Sequence, residues 1–62
     1  MKYHAVMRID DDRWEKYPYS IIIYDENDNE IECHHRLYNE SECLRYTNKY
    51  NIDYADIEKE FY

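Results

Sequence analysis

Three groups of residues in this 62-residue chain have the types that chemistry requires. Cys33-His34-His35, together with Cys43 and His4, supplies the thiolates and imidazoles that zinc takes as ligands. Asp25-Glu26-Asn27-Asp28-Asn29-Glu30 opens with the Asp-x-Asn-x-Asn rhythm of a calcium loop. Asp10-Asp11-Asp12 sets side by side carboxylates of the kind used as an acid and base pair.

Each group lacks what its chemistry needs. Successive strand residues point to opposite faces, so Cys33 and His35 share one face and His34 takes the other, and no Cys-x-x-Cys or His-x-x-x-His spacing rescues a zinc site. The calcium rhythm fails at Glu30, where the sharp turn needs glycine, and at Arg36, where the closing bidentate glutamate belongs. A thiol beside a base needs a sheltered cleft, which a domain of this size has little room to build, and nothing in an acidic loop separates the pKa values of Asp10 and Asp12. No catalytic residue, no metal ligand and no cofactor is assigned, and the chain is not expected to be an enzyme.

The elements that position these residues follow from periodicity. Lys2 to Asp10 alternates, with Tyr3, Ala5, Met7 and Ile9 on one face, and predicts a first strand. Residues 10–18 form a charged loop, and Pro18 sets the entry to a second strand, Tyr19 to Tyr24. Turn formers from Asp25 to Glu30 and renewed alternation to Tyr38 complete a β-hairpin. An even loop pairs Ile31, Cys33, His35 and Leu37 with Ile22 and Tyr24; an odd loop pairs them with Ile21 and Ile23. The odd register, which gathers more aliphatic surface on one side, is expected.

Asn39 as N-cap with Glu42 three residues on predicts a helix to about Tyr50, with Cys43, Leu44, Thr47 and Tyr50 facing the sheet. Asp53 can cap a second helix, Tyr54 to Phe61, with Tyr54, Ile57 and Phe61 on one stripe; a fourth strand near Tyr50 to Tyr54 is the alternative. The expected fold is therefore a single α+β domain over residues 1–62, of β-β-β-α-α order: a three-stranded antiparallel sheet in two layers with two short helices.

Fifteen acidic against eight basic residues give a net charge of −7, which excludes direct nucleic-acid binding and points to basic partners. No apolar run approaches 18 residues and the first residues carry no apolar signal region, so neither a membrane span nor secretion is expected, and the compartment expected is the cytoplasm. Cys33 and Cys43 are accordingly expected as reduced thiols in or near the core. With no glycine in the chain, Asn27, Asn29, Asn39, Asn48 and Asn51 are left to supply positive φ. Nine tyrosines exceed what so small a core holds, so several must lie at the surface, where tyrosine suits binding. Trp14 either caps the core edge or stands exposed as an anchor; capping is expected.

The topology gathers carboxylates at two ends about 20 Å apart, from strands of six or seven residues at ~3.3 Å each. Asp10, Asp11 and Asp12 lie at one, with Glu40 and Glu42 of the first helical turn. Asp25, Glu26, Asp28 and Glu30 lie at the other, with Asp53 and Asp56. Asp10, Asp11, Asp12, Trp14, Asp25, Glu26, Asp28, Glu30, Asp53 and Asp56 are the candidate partner-binding set.

In its Asp10-Asp11-Asp12 run, its acidic stretch from Asp25 to Glu32, its Tyr46, Tyr50 and Tyr54 and its lack of glycine, the whole chain resembles the small, acidic, tyrosine-rich proteins that bacteriophages make to disable host enzymes. Anti-CRISPR proteins and DNA-mimic inhibitors are examples. The resemblance is one of composition and implies a stoichiometric inhibitor, monomeric or weakly dimeric, acting in the bacterial cytoplasm. Its implied partner is a basic protein surface, such as the nucleic-acid-binding groove of a host complex. The alternative is a self-associating structural module that pairs through strand one as a sheet edge.

Overall fold

The computed structural model describes residues 2–62. Four strands and one α-helix make an α+β fold: β1 His4–Ile9, β2 Tyr19–Tyr24, β3 Glu30–Leu37, α1 Glu40–Asn48 and β4 Ile57–Phe61, the last preceded by a 3₁₀ turn, Tyr54–Asp56. The sheet order is β3-β2-β1-β4. Pairing is antiparallel between β1 and β2 and between β2 and β3, and parallel between β1 and β4.

The expected second helix is thus a 3₁₀ turn and a strand, and the sheet has four strands in mixed orientation instead of three antiparallel ones. Ile57 and Phe61 are four residues apart, a spacing that puts two side chains on one face of a helix and equally of a strand. The flank of β1 decides between them. Backbone hydrogen bonds along β1 are available only to an extended segment, and Ala5↔Ile57 through Ile9↔Phe61 take them up. Strand one is accordingly interior, not an edge.

The triple isoleucine of β2 divides between two faces. Ile21 and Ile23 are fully buried beneath α1 with Ala5, Met7, Leu37, Cys43, Ile52 and Ile57, whereas Ile22 lies on the helix-free face. Through the middle of the hairpin Ile21 pairs with His34, Ile22 with Cys33 and Ile23 with Glu32, which is the even register, not the odd one. Two register shifts each add one residue to β3: the one between Tyr19 and Ile21 brings Leu37 opposite Tyr19 and into the core, and the one between Ile23 and Tyr24 sets Glu30 opposite Tyr24. Cys33 therefore leaves the core face, and only Cys43 is buried there. The reason lies with the single helix. At the β3 margin its flank is polar: the His34 ring stacks on Tyr46 at 3.8 Å and Glu32 accepts from Lys49 Nζ at 3.3 Å, so polar side chains of β3 find partners on the covered face.

The first helix follows its sequence signals closely. Asn39 Oδ1 accepts the Glu42 N–H at 3.1 Å, and the Glu42 carboxylate reaches back to the Tyr38 N–H at 3.2 Å, one residue earlier than a capping box would. Cys43 and Thr47 are buried and Leu44 and Tyr50 pack against the core. Positive φ falls at Asp28, Arg36 and Asn51. Of the asparagines expected there only Asn51 serves; Asp28 makes the hairpin turn and Arg36 one of the β3 irregularities.

Candidate functional site

Most carboxylates of the 10–18 loop have local work. Asp10 Oδ1 accepts the Asp12 N–H, Asp12 Oδ1 the Trp14 N–H and Glu15 Oε1 the Tyr17 N–H, at 2.9, 2.9 and 3.1 Å. In a glycine-free loop these side-chain bonds satisfy main-chain donors that no ladder reaches. Each uses one oxygen, so the charge remains presented to solvent. Asp10, Asp11 and Asp12 are all exposed, and the segment is tied to the end of the chain by the Asp11 N–H, which donates to the main-chain oxygen of Tyr62. Trp14 does not cap the core: 82% of it is exposed, with the Arg13 guanidinium 5.3 Å from its ring centre.

At the opposite end of the sheet, Asp25 organises the hairpin tip by accepting the N–H groups of Asn27 and Asn29 at 2.8 and 2.9 Å. The Asn29 main-chain bond is the leading cause that holds the Asp25 carboxyl below the usual range. Glu26, Asp28 and Glu30 are exposed, and Asp28 meets His4 Nε2 at 3.2 Å. Asp53 and Asp56 flank the 3₁₀ turn at this same end, because Ile57 lies beside Ala5 and His4 beside Tyr24. Asp53 makes no side-chain cap bond there.

The candidate residues thus fall into the two expected ends, but Glu40 does not join the first. Its carboxylate is engaged by the Tyr54 hydroxyl and by Lys59 at 3.3 Å, and the Tyr54 bond leads the causes that lower its pKa. Glu60 and Arg8 likewise pair at 3.3 Å.

The helix-free face is the one that carries Ile22 and Tyr24. Val6, Ile22 and Cys33 lie in a row across it, edged by the stacked rings of His4 and Tyr24 and by Arg8. Cys33 Sγ is 3.1 Å from His35 Nε2, and His35 Nδ1 is 3.4 Å from Ser20 Oγ. Burial and the nearby Glu30 raise the Cys33 pKa, which keeps the thiol protonated and unreactive despite its imidazole neighbour. At the Tyr17 end of this face an open cleft of about 520 Å³ is bounded by Arg8, Asp10, Tyr17, His35, Arg36 and Tyr62 among others. Guanidinium groups of Arg8 and Arg36 and carboxylates of Asp10 and Glu15 both line it, so it selects no single sign of ligand charge. Among the described residues no group of three or more His, Cys, Asp or Glu side chains could hold a metal ion, and no helix is long and apolar enough to cross a membrane.

No family model, curated protein or solved structure matches this chain.

Proposed function

We propose that the protein is a stoichiometric binding protein that silences a nucleic-acid-handling or defence complex by occupying its basic groove with the carboxylates of its two ends. It performs no chemistry of its own. The observation that carries this reading is how unevenly its charge is neutralised. Lysine and arginine side chains engage Glu32, Glu40 and Glu60 in ion pairs. Among the described residues Asp10, Asp11, Asp12, Glu26 and Asp53 are exposed and enter none.

Magnitudes limit the form that imitation of nucleic acid takes. A charge of −7 along a 38 Å molecule is about one per 5 Å, against one per ~1.7 Å of duplex DNA. The protein as a whole is a poor copy of a phosphate backbone. Asp10-Asp11-Asp12, however, packs three carboxylates into about 8 Å of chain, about one per 2.7 Å, roughly twice the density of the whole molecule and nearer that of the duplex. Imitation is therefore local. The exposed Trp14 beside that cluster supplies the large aromatic surface that interface affinity favours, while the carboxylates speed and orient encounter.

The test neutralises charge while keeping the loop. Asn at positions 10, 11 and 12 retains the side-chain oxygens that accept main-chain N–H groups but removes three charges. Immobilised protein is presented with bacterial lysate containing candidate defence complexes, and capture is challenged with salt and duplex DNA. Expected is a nucleic-acid-handling complex released by both and held less well by the Asp10→Asn, Asp11→Asn, Asp12→Asn variant. Capture indifferent to DNA, and to neutralisation of both ends, refutes phosphate imitation.

A further inference from the structure

The two margins of the sheet are not equivalent. β3 is interrupted twice, with an added residue near each end and Arg36 at φ 59°, irregularities of the kind that twist an edge away from further pairing. β4 runs in unbroken register with β1 from Ile57 to Phe61, and no strand lies beyond it among the described residues.

Which of its main-chain groups are free follows from alternation. Tyr62 N–H donates to the Ile9 carbonyl, so Tyr62, Glu60 and Glu58 turn their main-chain groups toward β1. Lys59 and Phe61 turn theirs outward. Ile57 N–H is taken by the Tyr54 carbonyl, which leaves the Ile57 carbonyl and both groups of Lys59 and Phe61 as a row of open partners.

The side chains state which strand can come. Ile57, Lys59 and Phe61 belong to the helix face, since Ile57 is buried there, and Glu58 and Glu60 to the open face. A second copy meets its own charge. In antiparallel pairing, outward residues oppose outward residues. Every such register overlapping three or more positions of β4 then sets Glu58 against Glu58, Glu58 against Glu60, or Glu60 against Glu60. In parallel pairing an outward residue opposes an inward one, so the two copies sit one residue out of register, with Lys59 against Glu58 or Glu60; that offset contact is heterologous and does not close as a symmetric dimer. Like charges directly opposite destabilise a ladder, whereas opposite charges and apolar pairs strengthen it. Phe61 is 71% exposed and offers the apolar contact at the far end.

We infer that β4 is a docking edge for an extended strand of a basic partner protein. The strand it takes carries Lys or Arg two residues apart, one opposite Glu58, which enters no ion pair among the described residues, and one opposite Glu60, whose carboxylate it shares with Arg8, with apolar residues outside them to meet Ile57 and Phe61. This surface is distinct from the two acidic ends, and the inference stands if those ends prove not to bind.

The full chain, labelled with ¹⁵N, is titrated with two capped pentapeptides, Val-Lys-Thr-Lys-Val and Val-Glu-Thr-Glu-Val. Saturable shifts and slowed exchange at the Lys59 and Phe61 amides are expected with the first only. Glu58→Lys alters an exposed side chain and should weaken the lysine peptide by about fivefold while admitting the glutamate peptide. The inference is overturned if the two peptides act alike, if the shifts fall on β3 instead, or if the lysine peptide leaves the β4 amides unmoved. Protection of Lys59 and Phe61 that grows with protein concentration alone overturns it too, in favour of self-pairing.

Discussion

Ile22 and Ile23 are adjacent in sequence, alike in type and nearly alike in exposure, at 4% and 0%, yet the structure gives them different weight. Ile23 sits between the sheet and α1 among Ala5, Met7 and Cys43. Ile22 faces the helix-free side, where its cover is half-buried Val6 and Cys33 and the long side chains around them. Shortening Ile23 to Val opens a void that two rigid layers cannot close, at the upper end of the ~0.5–1.5 kcal/mol such a deletion costs. The same change at Ile22 leaves a gap that neighbouring side chains and water can fill, so less than half that loss is expected. A domain of this size has ~3–9 kcal/mol in total, and about 1 kcal/mol moves its Tm by ~4–8 °C. Ile23→Val should therefore lower Tm by about 5–10 °C and Ile22→Val by no more than about 4 °C. Thermal unfolding followed by far-ultraviolet circular dichroism, with urea midpoints at an unchanged m-value, measures both. Equal losses, or a larger loss at Ile22, would falsify the assignment of the core to one face.

Asp25→Ala removes the acceptor for two main-chain donors of the hairpin tip and should lower Tm, while Asp25→Asn, which keeps an acceptor oxygen, should lower it less. The Asp25 carboxyl is held below its ordinary 3.8, so its contribution is present above that value and lost as pH falls through the lower folded one. The Asn variant should lack that acid limb in a comparison of melting against pH. Cys43 behaves in the opposite sense. Burial, with the charges of Glu40 and Glu42, pushes its thiol up to about 11. The unfolded chain ionises first as pH rises, so stability is whole below about pH 9 and declines between 9 and 11. Urea midpoints of Cys43→Ala across that range should decline less steeply than those of the parent, since the tyrosines and lysines common to both cancel; parallel slopes would exclude the assigned burial.

The sequence by itself determined what short-range physics controls. Alternation placed β1 and β3, the β-branched and aromatic run Tyr19 to Tyr24 placed β2, and the Asn39 and Glu42 pair started α1 within a residue of where it begins, because all three signals act over a few neighbouring positions. The same locality put Cys33 and His35 on one face and His34 on the other, which denied the tripeptide a shared metal. The grouping of Asp10 to Asp12 at one end and Asp25 to Glu30 at the other followed from the up-and-down course of the first three strands, whereas Glu40 was drawn away by Tyr54 and Lys59.

Only the tertiary structure decided the rest. Residues 57–61 satisfy both periods, and it is the open flank of β1, some fifty residues away in sequence, that draws them into a strand. The hairpin register depended on how far one helix covers four strands: its polar flank meets Glu32 and His34, so β3 turns polar side chains inward and Cys33 outward. The β4 edge, with Glu58 and Glu60 on one face and free main-chain groups between them, exists only once a distant strand has fixed which way each residue points.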